Sequence, residues 1–274
     1  MKLDTRQKSI IRNLVKDDFA KTVVDVAMGD FENNTSALSY NHFALAIREA
    51  KNHDIGVRAP DEKVSKYAWA KEKAKKGKLP RVFKLRYLIQ RNIPDRYIKS
   101  MDRVISKIKE LDEKLDDLNN YVHLTEDTFG CTDDKIRNEI SAFIEAVDSY
   151  NNLEQDIIKC LREELLDNID DEFYKNYLFN GLKKIEVLAP HVYLEDVDYE
   201  ITQMEICDDR IEIEVNGSIS CKLIHGSMHE YEEDDEIGTD DSCPFSWNLY
   251  IPLDGEFKLQ ADEEPDVDTD AFYE

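Results

Sequence analysis

The sequence IKSMDRVISKIKELDEKLDDL, residues 98–118, has the clearest helical pattern in the chain. Its apolar side chains recur mostly at steps of three and four residues, and charged side chains fill the positions between them. This spacing puts the apolar side chains on one side of an α-helix, which must pack against another apolar surface. A similar pattern over residues 136–165 follows the loop 119–134. The two segments predict long helices that pack together.

The chain before residue 98 is helical by the same criterion. Residues 4–28 carry one apolar stripe and residues 38–50 carry a second. Shorter segments follow, separated by Gly77, Pro80 and Pro94, which are residues that end helices or occupy their first turn. We therefore predict an all-helical domain over residues 1–188.

Near residue 190 the apolar period changes from 3.6 to 2. Ile211, Ile213 and Val215 alternate with charged residues, as in strands with one wet face. Asn216-Gly217 predicts either a hairpin turn or a bulge in one long strand. We predict a small antiparallel β domain over residues 192–258 and an α+β fold class. Residues 259–274 are acidic and poor in apolar side chains, which predicts a disordered tail.

Charge is distributed unevenly along the 274 residues, whose 36 basic and 60 acidic side chains give a net charge of −24. Residues 1–100 carry 22 basic and 12 acidic side chains, whereas residues 186–274 carry 3 and 27. This asymmetry indicates parts with different partners. We expect no membrane partner, because apolar runs last only a few residues. The charged N-terminus lacks an apolar signal core, which favours the cytoplasm.

The strongest candidate for nucleic-acid binding is the basic stretch 63–99, which holds 13 Lys and Arg with interleaved aromatic residues. Cations neutralise phosphates and aromatic faces stack on bases. The alternative is that the aromatic side chains point into the helical core and the lysines only coat the surface. The candidate contacts are Lys71, Lys73, Lys75, Lys76, Lys78, Arg81, Lys84 and Arg86.

Two histidines are candidate proton-transfer groups. Arg48 and His53 have an Arg-x4-His spacing at the end of a predicted helix, and such a pair can stabilise a pentavalent phosphate and move protons without a metal. His123 lies in the segment LNNYVHLTEDTF, residues 118–129, between the two long helices. It is either catalytic or a cap on the helix end.

Metal and cofactor signals are weak. Cys221, His225 and His229 are spaced by four residues, which on an extended strand spans about 13 Å, so they share a zinc ion only if a turn intervenes. The five cysteines contain no CxxC pair and predict reduced thiols. Phosphate-loop, dinucleotide-binding, hydrolase-elbow and HExxH motifs are absent from the sequence. We therefore expect no metal and no cofactor.

Five short segments, taken in order, carry a family resemblance. They are YNHFALAIREA (40–50), RVFKLRYL (81–88), LNNYVHLTEDTF (118–129), VDYE (197–200) and CPFSWNLYIPL (243–253). Together they resemble the predicted prokaryotic-PIWI-associating nuclease family. The resemblance implies nuclease activity in bacterial defence against phages or other mobile elements.

The helical part is also similar to HEPN-type ribonucleases, which carry an Arg-x4-6-His motif and usually act as dimers. This similarity implies Arg48 as the phosphate binder, Glu49 as its polar neighbour, His53 as the proton-transfer group, and a homodimer. It favours RNA over DNA as the substrate. The alternative is a non-catalytic interaction protein whose acidic C-terminal part binds a basic protein partner or mimics nucleic acid.

Overall fold

The computed structural model describes residues 2–74, 78–123, 125–174, 183–207, 209–224 and 238–270. These residues fold into two compact units, one covering residues 1–157 and the other residues 158–274. The first is helical and the second is built around an antiparallel sheet, which confirms the predicted α+β class. Within the described ranges, no helix is long and apolar enough to cross a membrane.

The helical elements follow one another closely along the chain. They are α1 (Thr5–Arg12), α2 (Asp18–Asn33), α3 (Ser39–Arg58), α4 (Asp61–Val64), α5 (Ala68–Ala74), α6 (Arg81–Gln90), a 3₁₀ turn (Asp95–Tyr97), α7 (Met101–Val122), α8 (Asp133–Asn151), α9 (Leu153–Phe173) and α10 (Lys183–Glu186).

The helix predicted from residues 98–118 is α7, and its apolar stripe is the centre of the helical core. Ile108, Leu111 and Leu115 are almost completely buried, and α7 packs against both α3 and α8. The second pattern, residues 136–165, forms two helices instead of one. Helix α8 ends at a C-cap, Asn152, before α9 begins. Apolar residues recur on both sides of this break, so the apolar pattern does not reveal it.

The sheet consists of β1 (His191–Ile206), β2 (Arg210–Ile224), β3 (Gly238–Pro252), β4 (Gln260–Ala261) and β5 (Asp266–Val267). Its order is β1-β2-β3-β4, with β5 also paired to β3, and all pairs are antiparallel. Ile211, Ile213 and Val215 are buried, as their alternation predicts. Gly217 lies in one continuous strand, where a Cβ atom would come within 2.2 Å of the Asp198 carbonyl oxygen. Close approach of the backbone therefore explains this glycine better than a turn does.

The acidic segment expected to be a disordered tail is ordered on the sheet up to residue 270. Strands β4 and β5 pair with β3, and Leu259 and Val267 are buried. The Trp247 indole donates a hydrogen bond to the Glu263 carbonyl oxygen at 3.0 Å. The segment has little apolar surface of its own, but β3 supplies the backbone and ring partners that local composition does not reveal.

Most of α9, from Ile158 onward, belongs to the sheet unit, so the unit boundary lies inside a helix and upstream of residue 188. Arg162 donates to the Ile201 carbonyl oxygen at 2.7 Å, and the Tyr199 hydroxyl lies 2.7 Å from the Asp170 carboxylate. The Phe173 ring packs against Phe245 at 5.9 Å. The change in apolar period marks where strands begin, whereas these contacts mark where the second core begins.

Candidate functional site

Helix α3 positions the end of α7 through a buried amide. Asn41 donates to the Tyr121 carbonyl oxygen at 2.7 Å and to the Thr128 carbonyl oxygen at 3.4 Å. The C-terminal end of α7 and the following loop are therefore both held by α3.

Arg48 lies seven residues after Asn41, on the same side of α3. Its side chain is only 19% exposed. One terminal nitrogen donates to the Asn119 side-chain oxygen at 2.7 Å, and Nε donates to Glu49 at 2.9 Å. The second terminal nitrogen also contacts Glu49. Arg48 thus bridges α3 to α7, with a carboxylate on one side and an amide on the other.

His123 caps α7 one helical turn beyond Asn119. The residue is exposed, and its carbonyl oxygen accepts a hydrogen bond from the buried Thr128 hydroxyl at 3.1 Å. The backbone at His123 is therefore fixed while the imidazole remains available to solvent. Arg48 and His123 approach the same end of α7, although 75 residues separate them in sequence.

His53 lies elsewhere. Five residues along a helix correspond to a rotation of roughly 140°, so Arg48 and His53 face different neighbours. The His53 Nε2 atom is 3.4 Å from the Asp17 carboxylate, and its ring packs edge-on against Phe19 at 5.0 Å. The structure does not bring His53 to Arg48, so their spacing in sequence does not by itself form a site.

A polar network extends from Arg48 to helix α6. Asn119 donates to Asp116 at 3.3 Å, and Arg81 contacts Asp116 at 2.6 Å as well as Asp112. Burial lowers the pKa of Arg81, but hydrogen bonds to the two carboxylates outweigh that effect and raise the pKa overall. The Arg81 guanidinium is therefore charged but already occupied by two acidic partners.

The other predicted nucleic-acid contacts differ in their surroundings. Lys84 is paired with Asp61, and Arg86 contacts Asp95 at 2.8 Å. Two lysines, Lys71 and Lys78, are exposed. Lys73 lies in α5, and Lys75 and Lys76 lie outside the described residues.

The aromatic residues of the basic stretch stack mainly on each other. Trp69 stacks on Tyr67 with ring centres 5.9 Å apart and on Phe83 at 6.2 Å. The Arg86 guanidinium lies 4.5 Å from the Trp69 ring, and Tyr67 packs against the buried Tyr87 at 5.4 Å. Tyr67, Trp69 and Phe83 are half-buried, so the cluster both contributes to the core and reaches the surface.

Comparison with protein families assigns this chain on both sides of the α8–α9 junction. Residues 12–147 match one family model and residues 154–273 match a second, and both models describe a predicted pPIWI-associating nuclease. The chain belongs to this nuclease family. Searches of curated proteins and of solved structures gave no significant match. Membership in a family described as a predicted nuclease favours binding of nucleic acid.

Asn119 and a buried ion pair on α3 of this family member are not singled out by sequence patterns. The Lys51 ammonium donates to the Leu14 carbonyl oxygen at 2.7 Å and to Asp54 at 3.0 Å. Asp54 also accepts hydrogen bonds from the backbone N–H groups of Lys16 and Asp17. Both side chains of the pair are almost fully buried, at 1% and 0% exposure. The available signal was a lysine and an aspartate three residues apart, just beyond the apolar stripe of residues 38–50, where α3 continues to Arg58.

The two charges of this pair are perturbed by their burial. Burial raises the pKa of Asp54, but the Lys51 ammonium and the two backbone donors more than offset it, so its pKa lies below the ordinary value. This pair holds the turn between α1 and α2 against α3.

In the described part of this nuclease-family chain, no group of three His, Cys, Asp or Glu side chains has the arrangement of a metal site. Cys221 is buried in β2, where burial raises the pKa of its thiol to about 12. His225 and His229, which are spaced with Cys221 in the sequence, lie outside the described residues.

Proposed function

We propose that this chain is a metal-independent ribonuclease of bacterial defence, with Arg48 binding the scissile phosphate and His123 transferring the proton. The observation that carries the proposal is the bridge from Arg48 to Asn119, one helical turn from the exposed His123. We assign proton transfer to His123 instead of His53, because the neighbours of His53 are Asp17 and Phe19.

The hydrogen bonds of Arg48 leave donors for a phosphate. A guanidinium has five N–H groups, of which two are directed at Glu49 and one at Asn119. One N–H then remains on each terminal nitrogen, which is the fork that suits two phosphate oxygens. Glu49 and Asn119 would hold this fork in a fixed orientation, so that little entropy is lost when the phosphate binds.

RNA offers its own nucleophile to such a site. In metal-independent cleavage the ribose 2′-oxygen attacks the neighbouring phosphorus as a base removes its proton, and the 5′-oxygen leaves with a proton from an acid. An imidazole with an ordinary pKa of about 6.5 suits proton transfer near neutrality, and a guanidinium stabilises the charge that develops on the phosphate oxygens. This chemistry requires the 2′-hydroxyl, and it supports RNA over DNA.

The test compares three purified variants on single-stranded RNA in the presence of EDTA. Arg48→Gln and His123→Asn should each slow cleavage by about 100-fold or more and change the free energy of unfolding by less than about 1 kcal/mol. His53→Asn is the matched control and should retain activity. Wild-type protein should leave the 2′-deoxy analogue intact.

The proposal fails if His53→Asn loses as much activity as Arg48→Gln while His123→Asn loses none. It also fails if EDTA abolishes cleavage by the wild type. The homodimer implied by the HEPN resemblance stays a prediction, which light scattering of the wild type would check.

For substrate binding, we infer that exposed lysines contribute more than the paired arginines. Lys71 and Lys78 can release counterions from a nucleic-acid backbone, whereas Arg81, Lys84 and Arg86 already contact carboxylates. The double variant Lys71→Gln/Lys78→Gln should therefore weaken RNA binding and reduce its salt dependence.

The second candidate function is binding of a basic protein partner by the sheet unit. A surface cavity of about 320 Å³ on its wet face is lined by Glu205, Glu212, Glu214 and Asp262, with Arg210 also at its wall. Four carboxylates against one guanidinium favour a cationic partner. Replacing Glu212 and Glu214 by Gln should abolish capture of a polylysine peptide if this function is correct, and should leave RNA cleavage unchanged.

A further inference from the structure

A second cavity, of about 450 Å³, lies in the helical unit where the α1–α2 turn meets α3 and the α8–α9 junction. Its wall includes the side chains of Lys16, Lys21, Lys51 and Arg58. We propose that this cavity binds a free nucleotide, with Arg58 as the main phosphate ligand. The proposal concerns a different site from the Arg48 cluster, because Arg58 lies ten residues further along α3, about 15 Å away along the helix axis.

The cavity has an excess of positive charge. Besides its four cations it is lined by two carboxylates, Asp148 and Glu154. Glu154 is paired with Lys16 at 2.8 Å, and Asp148 lies 3.4 Å from Arg6. Lys21 contacts the exposed Asp18 carboxylate at 3.2 Å. Lys51 and Arg58 are therefore the cations to consider for direct contact with an anionic ligand.

Lys51 lines the cavity, but its ammonium is held by protein acceptors and is not available to a ligand. Its ammonium already donates to Leu14 and Asp54. Asp54 in turn accepts hydrogen bonds from two backbone N–H groups as well as from Lys51. The capacity of this carboxylate is therefore largely used within the protein.

Arg58 is the cation in this cavity whose hydrogen-bond donors remain available. Its side chain is 20% exposed and forms an ion pair with the Asp54 carboxylate at 3.6 Å, a distance longer than a hydrogen bond. The Arg58 guanidinium donates no hydrogen bond to any of the described residues. A half-buried guanidinium that lines a cavity, and whose ion pair with Asp54 is longer than a hydrogen bond, keeps N–H groups for a phosphate, which accepts two parallel N–H bonds.

The remaining walls suit a nucleobase. Leu88 and Ile89 provide apolar surface, and Asn13, Asn152 and Gln155 provide side-chain amides. An amide carries both a donor and an acceptor and can pair with the polar edge of a base. The cavity volume falls in the usual range for small-ligand pockets, roughly 300–1,000 Å³. A nucleotide therefore matches the cavity in charge, polarity and size.

The test is isothermal titration calorimetry of the full chain with ATP, GTP, AMP, GMP and inorganic phosphate. At least one nucleotide should bind at one site per chain, and inorganic phosphate should bind at least tenfold more weakly. Arg58→Gln should weaken nucleotide binding at least tenfold. Arg12→Gln is the matched control, because Arg12 carries the same charge on α1 but is 58% exposed and pairs with Asp25.

A second variant, Lys21→Gln, keeps the proposal testable if Arg58→Gln does not fold, and it should weaken nucleotide binding about threefold. The proposal is overturned if no nucleotide binds at millimolar concentration, or if Arg12→Gln weakens binding as much as the cavity variants. It is also overturned if a 5′-phosphorylated RNA binds through Arg58 more tightly than every nucleotide. That result would make the cavity part of the substrate path. Because Arg58 is outside the proposed cleavage site, these outcomes do not depend on the Arg48 variants.

Discussion

Two sides of helix α3 carry ion pairs of similar composition but different surroundings. Arg48 and Glu49 form a contact in which the side chains are 19% and 55% exposed, and Lys51 and Asp54 form one in which they are 1% and 0% exposed. The buried pair has its hydrogen bonds completed by the protein, whereas Arg48 has N–H groups left over. The difference in burial therefore assigns the two pairs different roles. The buried Lys51–Asp54 pair stabilises the fold, whereas Arg48 keeps N–H groups for the proposed substrate.

The largest effect should come from breaking the buried pair. Lys51→Met keeps the length of the side chain but removes the ammonium that donates to the buried Asp54 carboxylate, and the Arg58 guanidinium at 3.6 Å does not replace that hydrogen bond. This change should destabilise the helical unit by about 3–5 kcal/mol. Lys21→Met is the control: Lys21 is 38% exposed, and the same substitution there should change stability by about 0.5 kcal/mol or less. Urea unfolding followed by the helical circular dichroism signal measures both. Equal stabilities of the two variants would contradict the assigned difference between the two sides of α3.

The pH dependence of stability should follow the same pair, with a smaller effect. Asp54→Asn removes the charge but keeps one acceptor oxygen, so the loss at pH 7 should be about 2–3 kcal/mol. Because the folded-state pKa of Asp54 is lowered, its contribution is complete above the ordinary value of about 3.9 and is lost as the pH falls through the folded-state pKa. The difference in unfolding free energy between wild type and Asp54→Asn should therefore narrow below about pH 4, down to the lowest pH at which the protein remains folded. A gap that stays constant over this range would mean that the Asp54 charge is not its source.

The smallest effect should come from the exposed side of α3. Glu49→Gln removes a carboxylate that is 55% exposed, and exposed ion pairs contribute little, so stability should change by about 0.5 kcal/mol or less. RNA cleavage should fall only a few fold, because Asn119 still holds the Arg48 guanidinium. A loss of stability as large as that of Lys51→Met would place Glu49 in the structural group.

Much of the architecture could be predicted from periodicity. The step of three and four residues in 98–118 corresponds to α7, and the alternation at Ile211, Ile213 and Val215 corresponds to β2. The apolar pattern was less informative where it continued across the end of a helix or where a strand depends on pairing with a distant segment. The break at Asn152 is invisible in the apolar stripe, and β4 and β5 depend on pairing with β3.

The candidate site was predicted only in part. Arg48 and His123 were each identified by residue type, but the sequence paired Arg48 with His53, because spacing along one helix was the only geometric information it offered. A step of five residues turns a side chain away from its predecessor, whereas a residue on another helix can face it directly. Asn119, which connects Arg48 to α7, carries no charge, and the segment 118–129 that contains it drew attention to His123 instead.

The sequence by itself determined the fold class and family of this protein, since both depend on patterns that are local or that recur in order along the chain. Only the tertiary structure decided which charged side chains are buried, which are paired and which line a cavity. Arg81 is occupied by Asp112 and Asp116 and Lys51 is buried against Asp54, whereas Arg58 faces a cavity. The free energy of a charge depends on which groups and how much water surround it, and helix packing sets those surroundings.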